Sequence, residues 1–368
     1  MKKIYFLIIL TIVFVCIFLF SKLKEEKSIK IGFVGALTGK YSVLGNAMVN
    51  GVLLAFEENN YELNGRKIEL VFKDDKQNEE LNKQIINAFI EDDIKIIIGN
   101  VTSSMSKVSM SIINKVNDMF MISASSASNE FAGIDDNFFR VHVANNTQRF
   151  DSFSNYIIKN NYKNIYGIYD PHNKTYSMDY LLNLEKALIL KKENSFINYA
   201  SSNDDLTKLI ENLNELKPDL ILICANSVDT ARLVQYFRLK GLSIPIASSE
   251  WAMTPSFIEN AGKSSEGVIF NIDYNAKADN LVYKTFVKKY LDKYGIYPSM
   301  FASKAYELSN IIIEMLKKGK ETQIKENILA KKEFDGLQGK IIFDDNGDVS
   351  RKFNTFVVVN GEFKKVDD

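Results

Sequence analysis

Short unbroken apolar runs alternate along this chain with segments whose apolar residues return every three or four positions. The runs lie at Ile31–Val34, Ile68–Phe72, Ile94–Ile98, Met119–Ile122, Ile165–Tyr169, Leu220–Cys224, Ile244–Ala247 and Val268–Ile272. A strand covered on both faces needs apolar side chains in succession, so these predict strands of parallel sheets. Between them, amphipathic spacing predicts helices over Asn46–Glu58, Glu79–Glu91, Ser104–Val116, Arg149–Asn160, Met178–Lys191, Leu206–Asn214 and Val228–Lys240. A late helical region covers Leu281–Tyr294 and Ala302–Lys318. The alternation restarts near Asn145–Arg149, after a strand at Phe138–Val141. Two similar α/β lobes are therefore predicted, with a ligand where the carboxyl ends of the strands face one another. Asn346-Gly347 and Asn360-Gly361 predict hairpin turns near the C-terminus.

The richest stretch is IKIGFVGALTGKYSVLGNAMVNGVLLAFEENN, a buried strand followed by a turn of small and hydroxyl residues and then a helix. Gly35, Ala36, Thr38, Gly39 and Gly45 leave backbone N–H groups and short side chains facing the space above the strand. Ahead of it, Lys2 and Lys3 precede an apolar run from Ile4 to Phe20. That is a secretory signal or a signal anchor. An uncleaved anchor is favoured, because Leu19-Phe20-Ser21-Lys22 offers no small-residue cleavage pattern, and Cys16 follows no lipid-attachment motif. The positive-inside rule then puts the rest of the chain in a periplasmic or extracytoplasmic space, tethered to the inner membrane by residues 4–20. Cys224 is the one cysteine of that exported part and is expected to be a buried strand residue.

The 46 basic and 46 acidic residues balance, which argues against a nucleic-acid partner. Gly39-Lys40-Tyr41 is not a phosphate loop, since Val34 stands where its first glycine belongs and Tyr41 replaces Ser or Thr. Asp344–Asp348 lacks the flanking helices and the closing glutamate of a calcium loop. The two histidines, His142 and His172, are far apart and no Cys-x-x-Cys is present, so neither a metal nor another cofactor is expected. No nucleophile motif supports an enzyme.

From Ser28 to the end the chain resembles the type I periplasmic binding proteins of the leucine/isoleucine/valine-binding class, the solute receptors of ABC importers. The landmarks are IGFVGALTGKYSVLG, LNGRKIELVFKDD, IIIGNVTSSMS, MISASSASNEF, FFRV, Tyr169 to Tyr176, PDLILICANSVDTARLVQYFRLKG, EWAMTP, SSEGV and YPSMFASKAYEL, in that order. The resemblance implies two Rossmann-like lobes with parallel sheets, joined by three hinge crossovers. It assigns residues 1–27 to the signal or anchor, 28–146 with 272–350 to one lobe, and 147–271 with 351–368 to the other. The implied function is binding without catalysis. An amino acid, branched-chain ones included, or a close analogue would be held in the inter-lobe cleft by hinged closure. The implied protein is a monomer that delivers its ligand to ABC permease subunits. Two alternatives remain: a ligand sensor for a membrane kinase or chemoreceptor, and a receptor for an amide, urea or aromatic acid.

Carried over position by position, the resemblance places Ser103 against the ligand carboxylate and lets the loop of Ser125, Ser126 and Ala127 supply backbone N–H groups, carbonyls and a hydroxyl to the amino-acid head. Tyr176 would close from the second lobe, on a loop DPHNKTY. Glu250 would take the ligand ammonium, which suits an acid opposed to a donor cluster. Asn226 stands where an aromatic is common and implies a more polar pocket, unless it only caps the helix after Cys224. Tyr41, Leu44 and Trp251 are expected pocket-wall residues.

Overall fold

The computed structural model describes residues 27–192 and 196–366, together with Thr11. Apart from Thr11, the apolar run at residues 4–20, Cys16 included, lies outside the described residues. Among those described, no helix is long and apolar enough to cross a membrane.

The first lobe opens with β1 (Ile29–Gly35), α1 (Ser42–Glu57), β2 (Glu62–Leu63), β3 (Arg66–Asp74), α2 (Glu79–Glu91), β4 (Ile96–Gly99), α3 (Ser103–Ile113), β5 (Phe120–Ser123) and β6 (Phe138–Arg140). Its six-stranded sheet runs β2-β3-β1-β4-β5-β6, parallel except for the β2–β3 hairpin. Ile96, Ile97 and Ile98 are all fully buried, as helices on both faces of a parallel sheet require.

The second lobe follows as α4 (Asp151–Lys159), β7 (Ile165–Tyr169), α5 (Lys174–Leu190), β8 (Phe196–Ser201), α6 (Leu206–Leu216), β9 (Leu220–Cys224), α7 (Ser227–Leu239), β10 (Ile246–Ser249), α8 (Pro255–Ala261) and β11 (Ile269–Ile272). The chain then returns through α9 (Leu281–Tyr294), α10 (Met300–Lys318), α11 (Ile324–Lys331), β12 (Glu333–Gly336) and β13 (Gly339–Ile342). It ends in β14 (Asn354–Val359) and β15 (Glu362–Lys365), which complete a seven-stranded sheet β15-β14-β11-β10-β9-β7-β8. In each sheet the strand order reverses beside the lobe's opening strand, β1 or β7, which is where doubly wound sheets bind ligands.

Helix α10 belongs with the first lobe. Gly51 of α1 lets it come so close that a Cβ there would stand 2.2 Å from the Ala302 carbonyl oxygen. The chain passes between the two sheets three times, at residues 141–150, 273–280 and 350–353. Cys224 is buried in β9.

Several boundaries differ from the sequence-based expectation. Helix α5 begins at Lys174 rather than Met178, so Tyr176 sits on its first turn and not on a loop. The Asn360-Gly361 hairpin forms, with both residues at positive φ between paired Val359 and Glu362. At Asn346-Gly347 the flanking residues make only a single bridge, Phe343 to Val349, because the Asp344 carboxylate binds the N–H groups of Asn346 and Asp348. Strand β8, helix α11 and the β12–β13 hairpin have no counterpart in the predicted elements.

Candidate functional site

The carboxyl ends of both sheets meet at one enclosed cavity lined by Leu44, Val101, Ser103, Ser125, His142, Asn173, Tyr176, Glu250, Trp251 and Phe301. Each is delivered by a strand-to-helix turn or by an element packed on one. Ser103 opens α3 just after β4, with Thr102 as the N-cap through its hydroxyl to Met105 N–H (3.4 Å). Ser125 follows β5, Tyr176 opens α5 after β7, and Glu250 and Trp251 follow β10 directly. The lobes are drawn together, and the cavity leaves room for about one water molecule.

Contacts across the cleft hold this arrangement. The Tyr41 hydroxyl donates to Asp170 (2.9 Å), and its ring stacks on Trp251 with centroids 5.8 Å apart. Lys40 pairs with Asp229 (2.7 Å), and Ser104 N–H donates to the Asn173 side chain (3.1 Å). Tyr41→Phe removes a buried hydrogen bond that only the closed state makes. Ligand release should accelerate about five- to thirtyfold, for a loss of about 1–2 kcal/mol, as measured by stopped-flow of the Trp251 fluorescence.

The hydroxyl and N–H groups of the first lobe are largely committed. Ser103 Oγ accepts from the N–H groups of Ala127 (3.2 Å) and Ser128 (3.3 Å), which leaves its own proton free to donate. Ser125 donates its proton to the carbonyls of Val101 (2.8 Å) and Asn100 (3.2 Å) and keeps acceptor lone pairs. The N–H groups of Ser125 and Ser126 bind Ser123 Oγ. Ser126 is fully buried against Ser106 (2.5 Å), and neither it nor Ala127 lines the cavity. The N–H groups that the resemblance assigns to a ligand carboxylate thus already have partners, in Ser123 and in Ser103 from the neighbouring turn.

Opposite stands Glu250, 1 % exposed. Its Oε1 accepts from the Tyr176 hydroxyl (3.0 Å) and His142 Nε2 (3.2 Å), and its Oε2 pairs with the Arg149 guanidinium. Burial alone would raise its pKa, but the Arg149 charge and the His142 hydrogen bond hold it down at about 2. The ammonium that the resemblance assigns to Glu250 therefore has a resident competitor. Arg149 is itself buried, with its guanidinium bonded to Asn145 Oδ1 and lying over the rings of Phe150, Tyr180 and Phe353.

From Glu250 a chain of buried groups runs into the hinge. His142 Nδ1 accepts from Lys304 Nζ (2.8 Å), and Lys304 donates to Asp273 (2.7 Å). Arg351 lies 4.0 Å from Asp273 and pairs with Glu307 (2.7 Å). His142 is neutral with its proton on Nε2, since burial and the neighbouring Lys304 charge lower its pKa to about 4. Burial lowers Lys304 to about 8 against the pull of Asp273, whose own pKa burial raises but Lys304, His142 and Arg351 together bring down. His142 and Arg149 belong to the first crossover, Asp273 to the second and Arg351 to the third, so all three share one polar core.

Of the residues expected from sequence, Ser103, Ser125, Tyr176, Glu250, Leu44 and Trp251 line the cavity, and Tyr41 closes over Trp251. Asn226 lies outside it. Its side-chain oxygen caps α7 through the N–H groups of Val228 and Asp229, and its amide donates to Asp229 (2.7 Å) and Asp170 (3.3 Å). His172 is exposed and meets Asn203 (3.0 Å). Sequence reasoning missed His142, Arg149, Lys304 and Phe301. Lys304 carried a signal: it sits on the apolar stripe of α10 with Met300, Phe301 and Leu308, where a solvated lysine has no place.

Two doubly wound lobes that bury a small cavity of mixed polar and apolar lining at their facing strand ends define a hinged solute receptor. The chain belongs to the periplasmic binding protein family, whose sequence pattern matches residues 28–362. It is 25% identical over 333 residues to the Leu/Ile/Val-binding protein homolog 2 of Brucella abortus, covering 88% of each. Among solved structures it resembles the leucine binding protein LivK of Thermotoga maritima (TM-score 0.84, 23% identity, 92% of this chain and 98% of that one). It also resembles a solute binding protein of R. palustris in complex with benzoate (TM-score 0.83, 19% identity, 92% and 95%). Family and fold are those of substrate-binding proteins and not of enzymes.

Proposed function

We propose that this protein is the extracytoplasmic receptor of an ABC importer, closing on an amino acid or a close analogue of one. One observation carries this reading most: hydroxyls from one lobe, at Ser103 and Ser125, oppose Tyr176, Glu250 and Trp251 from the other across a small cavity. A ligand between them is the only bridge that engages both sets at once, so it favours the closed state by its differential affinity. The permease subunits that would accept the ligand are part of the same reading, as is the tether at residues 4–20.

The pairing of Glu250 with Arg149 favours the second reading, a ligand without an amine, over a plain amino acid. The test is thermal unfolding of the full-length chain against amino acids, amides and aromatic acids. A true ligand at a hundredfold excess over its Kd stabilises by about 2.7 kcal/mol and raises the Tm accordingly. Ser103→Ala should weaken it at least tenfold. A panel in which no compound moves the Tm overturns the proposal.

A further inference from the structure

We propose that Arg149 is a built-in counter-ion to Glu250 that sets the cleft to take a small, amine-free carboxamide. The inference rests on the receptor reading above and names the class of solute held at that site. Its starting point is an inventory of the charges and hydrogen-bonding capacity around the cavity.

The charges on and behind this wall pair off as Glu250 with Arg149, Asp273 with Lys304, and Glu307 with Arg351, while Asp170, farther along the cleft, is held by Tyr41 and Asn226. A ligand ammonium needs a carboxylate of its own in such a place, because an unpaired buried charge is strongly disfavoured. Oε1 of Glu250 accepts from Tyr176 and His142, and Oε2 makes no hydrogen bond but has the Arg149 charge directly beside it. Arg149 is also fixed from behind by Asn145 and by three aromatic rings, so it does not swing away to make room. A ligand carboxylate fares no better. The N–H groups of residues 125–128 are bound to Ser123 and Ser103, those of Ser104 and Met105 to Asn173 and Thr102, and the nearby charge is the negative Glu250.

Among the groups left open, Ser103 and Ser125 put a donor and an acceptor on the same wall. The Ser103 hydroxyl proton is free because its oxygen accepts twice, and the Ser125 oxygen has lone pairs free because its proton is given to backbone carbonyls. A primary carboxamide presents a carbonyl oxygen to the first and an N–H to the second from one planar, uncharged head. The closed cavity holds about one water molecule, so the lobes part to admit the head group, and the side chains beyond it, Leu44, Val101, Trp251 and Phe301, favour a short apolar remainder. Arg149 does not line the cavity, so it acts on the ligand only through Glu250.

The test is isothermal titration of the full-length chain with two matched sets, propionamide, propionate and alanine, and isovaleramide, isovalerate and valine. In at least one set the amide should bind at least tenfold tighter than both the carboxylate and the amino acid. Arg149→Met keeps apolar volume on the aromatic rings and releases Glu250, and it should move the preference towards the amino acid at least tenfold. Arg149→Ala and the Arg149→Met/Glu250→Gln double variant serve where the first fails to fold, the double variant losing any gain for the amine. If alanine or valine binds wild type more tightly than its amide, or if a carboxylate does, the inference falls while the receptor reading stands. An amide preference that Arg149→Met leaves unchanged removes Arg149 from the account. If no compound in either set binds, the inference falls, and the receptor reading falls with it only if the thermal panel is also silent.

Discussion

Replacing Lys304 by alanine should lower the stability of the protein by about 3–5 kcal/mol, a large part of the about 5–15 kcal/mol that holds a typical domain folded. Lys304 is 2 % exposed and its ammonium is shared between Asp273 (2.7 Å) and His142 (2.8 Å). Without it, Asp273 keeps only the Arg351 guanidinium at 4.0 Å, and that group is already committed to Glu307. The cost comes from leaving a carboxylate in a dry hinge, not from the worth of the ion pair itself. Lys304→Met should therefore cost nearly as much as Lys304→Ala, although it fills the space. Removing both charges, in Lys304→Met/Asp273→Asn, should recover most of the loss. Urea unfolding of the wild type, the two single variants and the double variant gives the coupling directly. A double variant no more stable than Lys304→Met would show that packing, and not charge, is what Lys304 supplies.

These hinge residues also mark where the sequence stopped being informative. The strands of both sheets were legible because burial on two faces demands apolar runs such as Ile96–Ile98 and Leu220–Cys224, and no tertiary detail is needed to see that. Ser103, Tyr176 and Glu250 were placed by the family resemblance, which fixes them relative to those strands. Strand β8 escaped because Asn198, Ser201 and the neighbouring tyrosine break both alternation and apolar continuity. The roles of Arg149 and Glu250 escaped for a different reason. Each has an unremarkable local context, and only the meeting of the first crossover with the turn after β10 turns two surface-type residues into a buried pair. The commitment of the 125–128 N–H groups is likewise tertiary, since it depends on Ser103 arriving from another strand.

Lowering the pH from 6.5 to 4 should remove about 3 kcal/mol of stability through His142 alone. Its folded pKa is about 4 and its ordinary value 6.5, a difference of 2.5 units at about 1.4 kcal/mol each. The sign follows from proton counting. Between those values the unfolded chain binds a proton on His142 and the folded chain does not, so acid favours unfolding until the folded imidazole is protonated as well. The cause is geometric: Lys304 already donates to Nδ1, so a second proton would face an ammonium in a buried site, and Glu250 on Nε2 does not compensate. Glu250 extends the loss to lower pH, because its folded value of about 2 lies below the ordinary 4.5, and stability present above 4.5 disappears as pH falls towards 2. Lys304 acts at the other end. With a folded value of about 8 against 10.5 it loses its proton first in the folded state, so its contribution rises with pH across that window. The chain has two histidines and His172 is exposed, which makes the middle window assignable. Urea midpoints between pH 4 and 7 should therefore show a steep slope in the wild type and in His172→Asn, and a much flatter one in His142→Gln. An equal slope in all three would mean that His142 is not the group that titrates, and that the neutral, Nε2-protonated imidazole is not what joins Glu250 to the hinge.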